Sequence, residues 1–233
     1  MRLREGGYGA MDMYTGGYSV GDLREAGCDA KALRLARVPT KALVESGFSV
    51  KELRVGGCSV EELRECGCDA AMLYRGGFGV KTLRAQNFSG EDLKTAGVSV
   101  SEMRAAGRFS AVEMSAIGLT AEELRKGGYP LKQLKEQVGM GVAELQQAGF
   151  RAEELEDVGF TAKQLREHFS IEEIVKHCGF DPSELRAAGF SAVELRTHLM
   201  LSAKELKDGG YSRQEIKSAG FRDGLGALSP GRW

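Results

Sequence analysis

The chain has 233 residues and a formal net charge of −1 at pH 7, with 32 Lys and Arg against 33 Asp and Glu. That balance supplies no general field for nucleic acid or an anionic membrane, and no apolar run approaches the length of a membrane span. Apolar residues make up 42% of the chain but aromatics only 7%, and 32 Gly stand against 4 Pro, so many small contacts along the chain are expected in place of one deep core.

In chain order, the first feature is a leucine slot that recurs every ten residues: Leu3, Met13, Leu23, Leu33 and onward to Met103 without a slip. Met1-Arg-Leu3 starts inside a unit with no cap before it and lacks the apolar stretch of a signal peptide. The expectation is a truncated first helix or an excerpt of a longer array. Five residues after each leucine stands a bulky apolar residue or a cysteine, from Tyr8 and Tyr18 through Cys28, Val38 and Phe48 to Phe221. One residue further stands a capping residue, for example Ser19, Asp29, Ser49, Ser59 and Asp69. The glycine slot before the bulky residue is filled once by Asn87, the residue that best tolerates a left-handed backbone after Gly.

The physical content of the unit is clearest at 183–195. Ser191 is an N-cap whose hydroxyl accepts from the N3 amide, and Glu194 at N3 reaches back to the Ser191 amide. Gly189 is the left-handed C′ residue of the preceding helix, and Phe190 at C″ packs on Leu185 at C3 while stapling onto Leu195 ahead. Each decamer therefore reads as a two-turn helix capped at both ends. Leu23, Leu53, Leu63 and Leu83, with Phe48, Phe78, Phe88, Phe150, Phe160 and Phe190, are the expected core. Small residues in the slot before the glycine, such as Ala26, Ser46, Gly56 and Gly76, let neighbouring backbones approach. A single unit cannot offset its own ordering entropy, so the units must stack.

Some units depart from the pattern. Arg37 in a glycine slot, followed by Pro39, implies a different ending for the helix around Leu33, and Pro130 replaces a capping hydroxyl. Beyond Met103 the spacing drifts, and single-residue insertions are expected in the connections near Arg108, Met140, Asp181 and Met200. The organisation expected is one array over 1–221, regular over 3–103 and irregular over 104–221, with a tail at 222–233. A pentapeptide β-helix would bury Lys31, Lys41, Lys51 and Glu61, and a continuous coiled coil would carry a glycine every ten residues. The fold class is all-α: a solenoid of about twenty short helices. Its open ends would be capped or would stack on something.

Three groups of residues are candidates for function. A ladder of cations follows the leucines; Arg24, Arg34, Arg54, Arg64, Arg84 and Arg104, with Tyr14 and Tyr74 interrupting the series, form a candidate partner-binding face. The competing reading is structural, since cations complement helix C-termini and pair with the N3 Glu of a neighbouring unit. His168, His177, Cys178 and His198 gather in the irregular stretch and are the only metal candidates, although their spacing matches no metal motif. The paired glutamates Glu61-Glu62 and Glu172-Glu173 sit where carboxylates complement a helix dipole, so no catalytic or cofactor site is expected. The odd number of cysteines, Cys28, Cys58, Cys66, Cys68 and Cys178, implies free thiols packed in the core, in an intracellular reducing compartment.

The motif Leu-[Arg/Lys]-x-Ala-Gly-[Phe/Tyr]-Ser-x-x-Glu at 185–194, looser at 145–154, resembles the decapeptide-repeat arrays that occur in proteins of algae and other protists. The resemblance runs from Leu3 to about Phe221 and carries no catalytic motif. It implies a binding or architectural role: a non-enzymatic scaffold or linker that holds protein partners in a larger assembly. The alternative is an embedded structural subunit of one organelle complex, photosynthetic or ciliary. An enzyme or a nucleic-acid-binding solenoid is a remoter expectation.

Overall fold

The computed structural model describes residues 9–107 and 109–222. Over Met1–Ile117 the chain forms one compact unit with helices α1 (Ala10–Thr15), α2 (Val20–Glu25), α3 (Ala30–Leu35), α4 (Thr40–Glu45), α5 (Val50–Val55), α6 (Val60–Glu65), α7 (Ala70–Arg75), α8 (Val80–Ala85), α9 (Gly90–Thr95), α10 (Val100–Ala105) and α11 (Ala111–Ala116). Over Gly118–Trp233 it forms a second, with α12 (Ala121–Lys126), α13 (Leu131–Gln133, continuing as a π turn over Leu134–Val138), α14 (Val142–Gln147), α15 (Ala152–Asp157), α16 (Ala162–Leu165), α17 (Ile171–His177), α18 (Pro182–Ala187), α19 (Ala192–Leu199), α20 (Ala203–Asp208) and α21 (Arg213–Ser218). Most helices have six residues, a little under two turns. The expectations at Leu3, Arg4, Tyr8, Arg108 and the tail beyond 222 fall outside the described residues.

Both ends of the unit are closed by local chemistry. Ser191 Oγ accepts from the Glu194 amide at 3.2 Å, and the Glu194 carboxylate accepts from the Ser191 amide at 2.6 Å. At the other end the Gly189 amide donates to the Arg186 carbonyl at 2.8 Å and the Phe190 amide to the Leu185 carbonyl at 3.0 Å, the two bonds of a Schellman motif. The same pair recurs at Gly27 and Cys28, Gly57 and Cys58, and Gly149 and Phe150, with the glycine φ between 84° and 88° in these three. The leucines are fully buried from Leu23 to Leu93, and Leu155, Leu195 and Leu206 repeat this in the second unit. Phe48, Phe88, Phe150, Phe160 and Phe190 are buried; Phe78 is half-buried.

Helices pack chiefly on the helix two further along, α1 on α3, α3 on α5 and α5 on α7, and in the second unit α15 on α17, α17 on α19 and α19 on α21. The small slot makes this approach feasible. A Cβ on Gly56 would lie 2.8 Å from the Ala30 Cβ, and one on Gly76 would lie 2.4 Å from a Val50 methyl. Stacking between these helices supplies the burial that a single six-residue helix lacks.

Three irregular positions resolve differently from the sequence expectation. Arg37 does not change the helix ending: it adopts φ 60° itself, and the Val38 amide still reaches the Leu33 carbonyl at 3.0 Å. The burial of Leu33 and Val38 holds the closure in place against the left-handed strain of a non-glycine residue. Near Met140 the extra residue enters the helix as the π turn and not the link, since a widened turn keeps both Leu134 and Met140 buried. The extra residue near Met200 likewise lengthens α19 to eight residues, with Met200 at φ 54°. Pro39 and Pro130 each occupy the N-cap position itself, without a side-chain cap bond.

Candidate functional site

The feature that recurs through both units is the cation after the leucine. A Schellman ending satisfies the carbonyls at C3 and C2 and leaves the C-cap carbonyl without an amide partner. A side chain from two helices earlier fills it. Arg24 Nη1 donates to the Ser46 carbonyl at 3.0 Å, Arg54 Nε to Gly76 at 2.9 Å and Arg64 Nη1 to Gln86 at 2.8 Å. In the second unit Arg125 reaches Ala148 at 2.9 Å, Arg166 reaches Ala188 at 2.9 Å, and Arg196 reaches Ala219. The same guanidiniums lie over the next bulky ring, Arg24 at 5.0 Å from the Phe48 centroid, Arg125 at 4.7 Å from Phe150 and Arg166 at 4.6 Å from Phe190.

A third contact goes to the N3 carboxylate of the helix three further on. Arg34 grips Glu62 with two bonds at 3.0 and 3.1 Å, and Arg84 meets Glu113 at 2.7 Å. Tyr74 uses its hydroxyl for the same purpose, donating to Glu102 at 3.0 Å. Partial burial pushes the Glu62 carboxyl up, but the Ser59 amide and the Arg34 guanidinium outweigh it and hold it below the usual carboxylate value. Arg34 and Arg166 thus each tie helix n to the end of n+2 and the start of n+3. Arg24, Arg34, Arg54, Arg64 and Arg84, expected as a partner-binding face, are committed in this way to the chain's own caps. Arg104 is exposed and Tyr14 is half-buried.

One rung is inverted. Glu156 stands in the cation slot, and both of its oxygens accept from the Gly179 amide at 2.8 Å. α17 ends with Cys178 in an extended conformation, φ −92° and ψ 152°, so an N–H is presented where other helices present a carbonyl. The Cys178 thiol lies beside this carboxylate. Burial first, then the Glu156 and Glu153 charges, push its pKa up to about 12, which leaves it a protonated thiol at neutral pH.

The other metal candidates are not brought to one point. His198 Nδ1 lies 3.2 Å from Glu172, His177 is exposed on α17, and the half-buried His168 contributes its backbone carbonyl to Gln146. Among the described residues no group of three or more His, Cys, Asp and Glu side chains is placed to hold a metal ion. All five cysteines are free; Cys28, Cys58 and Cys68 are buried. No helix among the described residues is long and apolar enough to cross a membrane.

Sequence reasoning missed the reach of the ladder and its inversion at Glu156. The second had a signal, because the one acid in the slot coincides with the extra residue between Ile174 and Leu185. It also missed that Leu35 and Val55, two positions after their leucines, are 74% and 68% exposed, which makes them surface features and not core.

Together these contacts define an α-solenoid of ten-residue units, most of them capped internally, in which recurring side chains bond to the ends of helices two units on or the starts of helices three units on. The chain belongs to the decapeptide repeat family, whose repeat-region model matches residues 1–62, 47–109 and 107–168. No curated protein and no solved structure matches it.

Proposed function

We propose that this chain is a non-catalytic repeat scaffold that holds protein partners along the outward faces of its coils, within a larger assembly. One observation supports the reading: the polar groups that recur from unit to unit are bonded to the chain's own helix ends. Serine and glutamate side chains close their own helix starts, and the arginines close helix ends two units on. The exposed side chains outside these recurring bonds change from unit to unit, such as Glu25, Leu35, Glu45, Val55, Glu65 and Arg75. A constant frame carrying a variable surface is how repeat proteins present extended binding surfaces. Native mass spectrometry of the protein isolated from its own cells tests this: a scaffold is recovered with other proteins bound. Recovery as the bare chain under gentle conditions would count against the proposal.

A further inference from the structure

The inverted rung leaves an aromatic ring without its cation. The rings under ladder cations are buried: Phe48 under Arg24, Phe88 under Arg64, Phe109 under Arg84, Phe150 under Arg125, Phe160 under Lys135 and Phe190 under Arg166. Phe180 is half-buried, and the slot that would cover it holds Glu156 in place of a cation. Phe78, also half-buried, keeps its slot cation, Arg54, on the Gly76 carbonyl.

The two units carry the same groove with and without that cation. In the first, the starts of α3 and α5 form a groove with Arg24 and Phe48 on its walls, and Arg24 stands 5.0 Å from the ring centroid. In the second, the starts of α16 and α18 form its counterpart, about 650 Å³ in volume, with Glu156 at the position of Arg24 and Phe180 at that of Phe48. Glu184 likewise corresponds to Glu52 and Lys163 to Lys31, each at the same offset from the slot residue. The balance of charge therefore changes sign. Arg24, Lys31 and Lys51 outnumber Asp29 and Glu52 in the first groove, whereas Glu156 and Glu184 outnumber Lys163 in the second. Glu156 is half-buried and Glu184 exposed. Each accepts from a backbone amide, Gly179 at 2.8 Å and Asp181 at 2.9 Å, which fixes the carboxylate and favours its charged form.

From this substitution we infer that the groove at Phe180 is a binding site for an arginine side chain of a protein partner, which lays its guanidinium over the Phe180 ring and pairs with Glu156 and Glu184. The inference rests on the scaffold reading and supplies one contact of its partner. A guanidinium fits because the fold itself uses one in the equivalent groove, over the ring and with N–H groups left for an acceptor. There the acceptor is the Ser46 carbonyl. At the inverted rung the backbone presents an N–H to Glu156, and the carboxylates take the acceptor's place. The first groove is closed to the same guest, because Arg24 already stands over its ring.

The test is titration of the full chain with N-acetyl-arginine N-methylamide, followed in proton–nitrogen correlation spectra, against the uncharged isostere N-acetyl-citrulline N-methylamide. The expected result is saturable shifts at the Gly179 and Phe180 amides with a dissociation constant of about 1–10 mM, and binding of the citrulline compound weaker by about fivefold or more. Phe180→Leu and Glu156→Gln should each weaken arginine binding by about threefold or more, while the Phe48 amide of the first groove does not shift. Gln keeps an acceptor for the Gly179 amide, and circular dichroism melting confirms that both variants fold. If Phe180→Leu does not fold, Glu156→Gln and the citrulline comparison decide. Absence of saturable shifts, equal binding of the two compounds, or equal shifts at Phe48 would overturn the site and leave the scaffold reading to native mass spectrometry. Tighter binding of spermidine than of the arginine compound would assign the groove to a free polyamine and overturn the proposal as well.

Discussion

Arg37 and Asn87 hold the left-handed position that glycine takes elsewhere, at φ 60° and 63°. A non-glycine residue there is strained by roughly 1–2 kcal/mol, less for Asn, and glycine's larger unfolded-state entropy offsets part of the relief. Arg37→Gly is therefore expected to raise stability by about 0.5–1 kcal/mol in thermal or urea unfolding, and Asn87→Gly by less. Gly76→Ala has the opposite sign, because its Cβ would fall 2.4 Å from a Val50 methyl; a loss of about 1–3 kcal/mol is expected in the same assay. This scale was the most legible in the sequence. Caps, C′ glycines and C″ residues act within a few positions of one another, so Ser191, Glu194, Gly189 and Phe190 identify the motif from sequence alone. Arg37 was misread because the glycine preference looked decisive, whereas the burial of Leu33 and Val38 overrides it.

Between elements, the ladder side chains carry the recurring polar ties. A double-mutant cycle on Arg34 and Glu62 is expected to give a coupling near the top of the 0.2–1 kcal/mol range, roughly, because two bonds join partly buried partners; Lys41 and Glu45, exposed and 3.9 Å apart, should give close to zero. The N3 carboxylates add a pH dependence. The Ser49 hydroxyl and amide hold the Glu52 carboxyl low, and the Ser89 hydroxyl and amide do the same for Asp92. A carboxyl depressed on folding contributes stability that is complete above its unfolded pKa and is lost as pH falls through the folded value. Melting temperature is thus expected to hold from neutral pH down to about 5 and to fall progressively below about 4. At the inverted rung, Glu156→Gln removes a charge that opposes thiolate formation, so the Cys178 pKa should drop from about 12, read as faster alkylation at a given alkaline pH. That ladder cations pair with N3 glutamates was legible in the chain; that they reach two and three helices on was not. Arg24 and Ser46 are 22 residues apart, and only the pitch of the coil makes them neighbours.

At the scale of the whole molecule, stability is distributed over near-equivalent units and over two compact units, Met1–Ile117 and Gly118–Trp233. The fully buried leucines Leu33, Leu63 and Leu93 sit in matching surroundings, so each Leu→Ala change should cost a similar amount, about 2–5 kcal/mol. Opening caused by Leu63→Ala should stay within the first unit in hydrogen exchange, and that caused by Leu195→Ala within the second, as expected where contacts are local.

The decamers with a left-handed residue in the glycine slot are helices closed at their ends by the amides of that residue and of the bulky residue after it. Residue-resolved amide hydrogen exchange tests this most directly. The amides of Cys28, Cys58, Phe88, Phe150 and Phe190, bonded to leucine carbonyls at 2.9 to 3.2 Å, should be protected as well as those inside the helices, in a pattern that repeats every ten residues. Rapid exchange at those amides, or protection that alternates residue by residue as in extended strands, would contradict it.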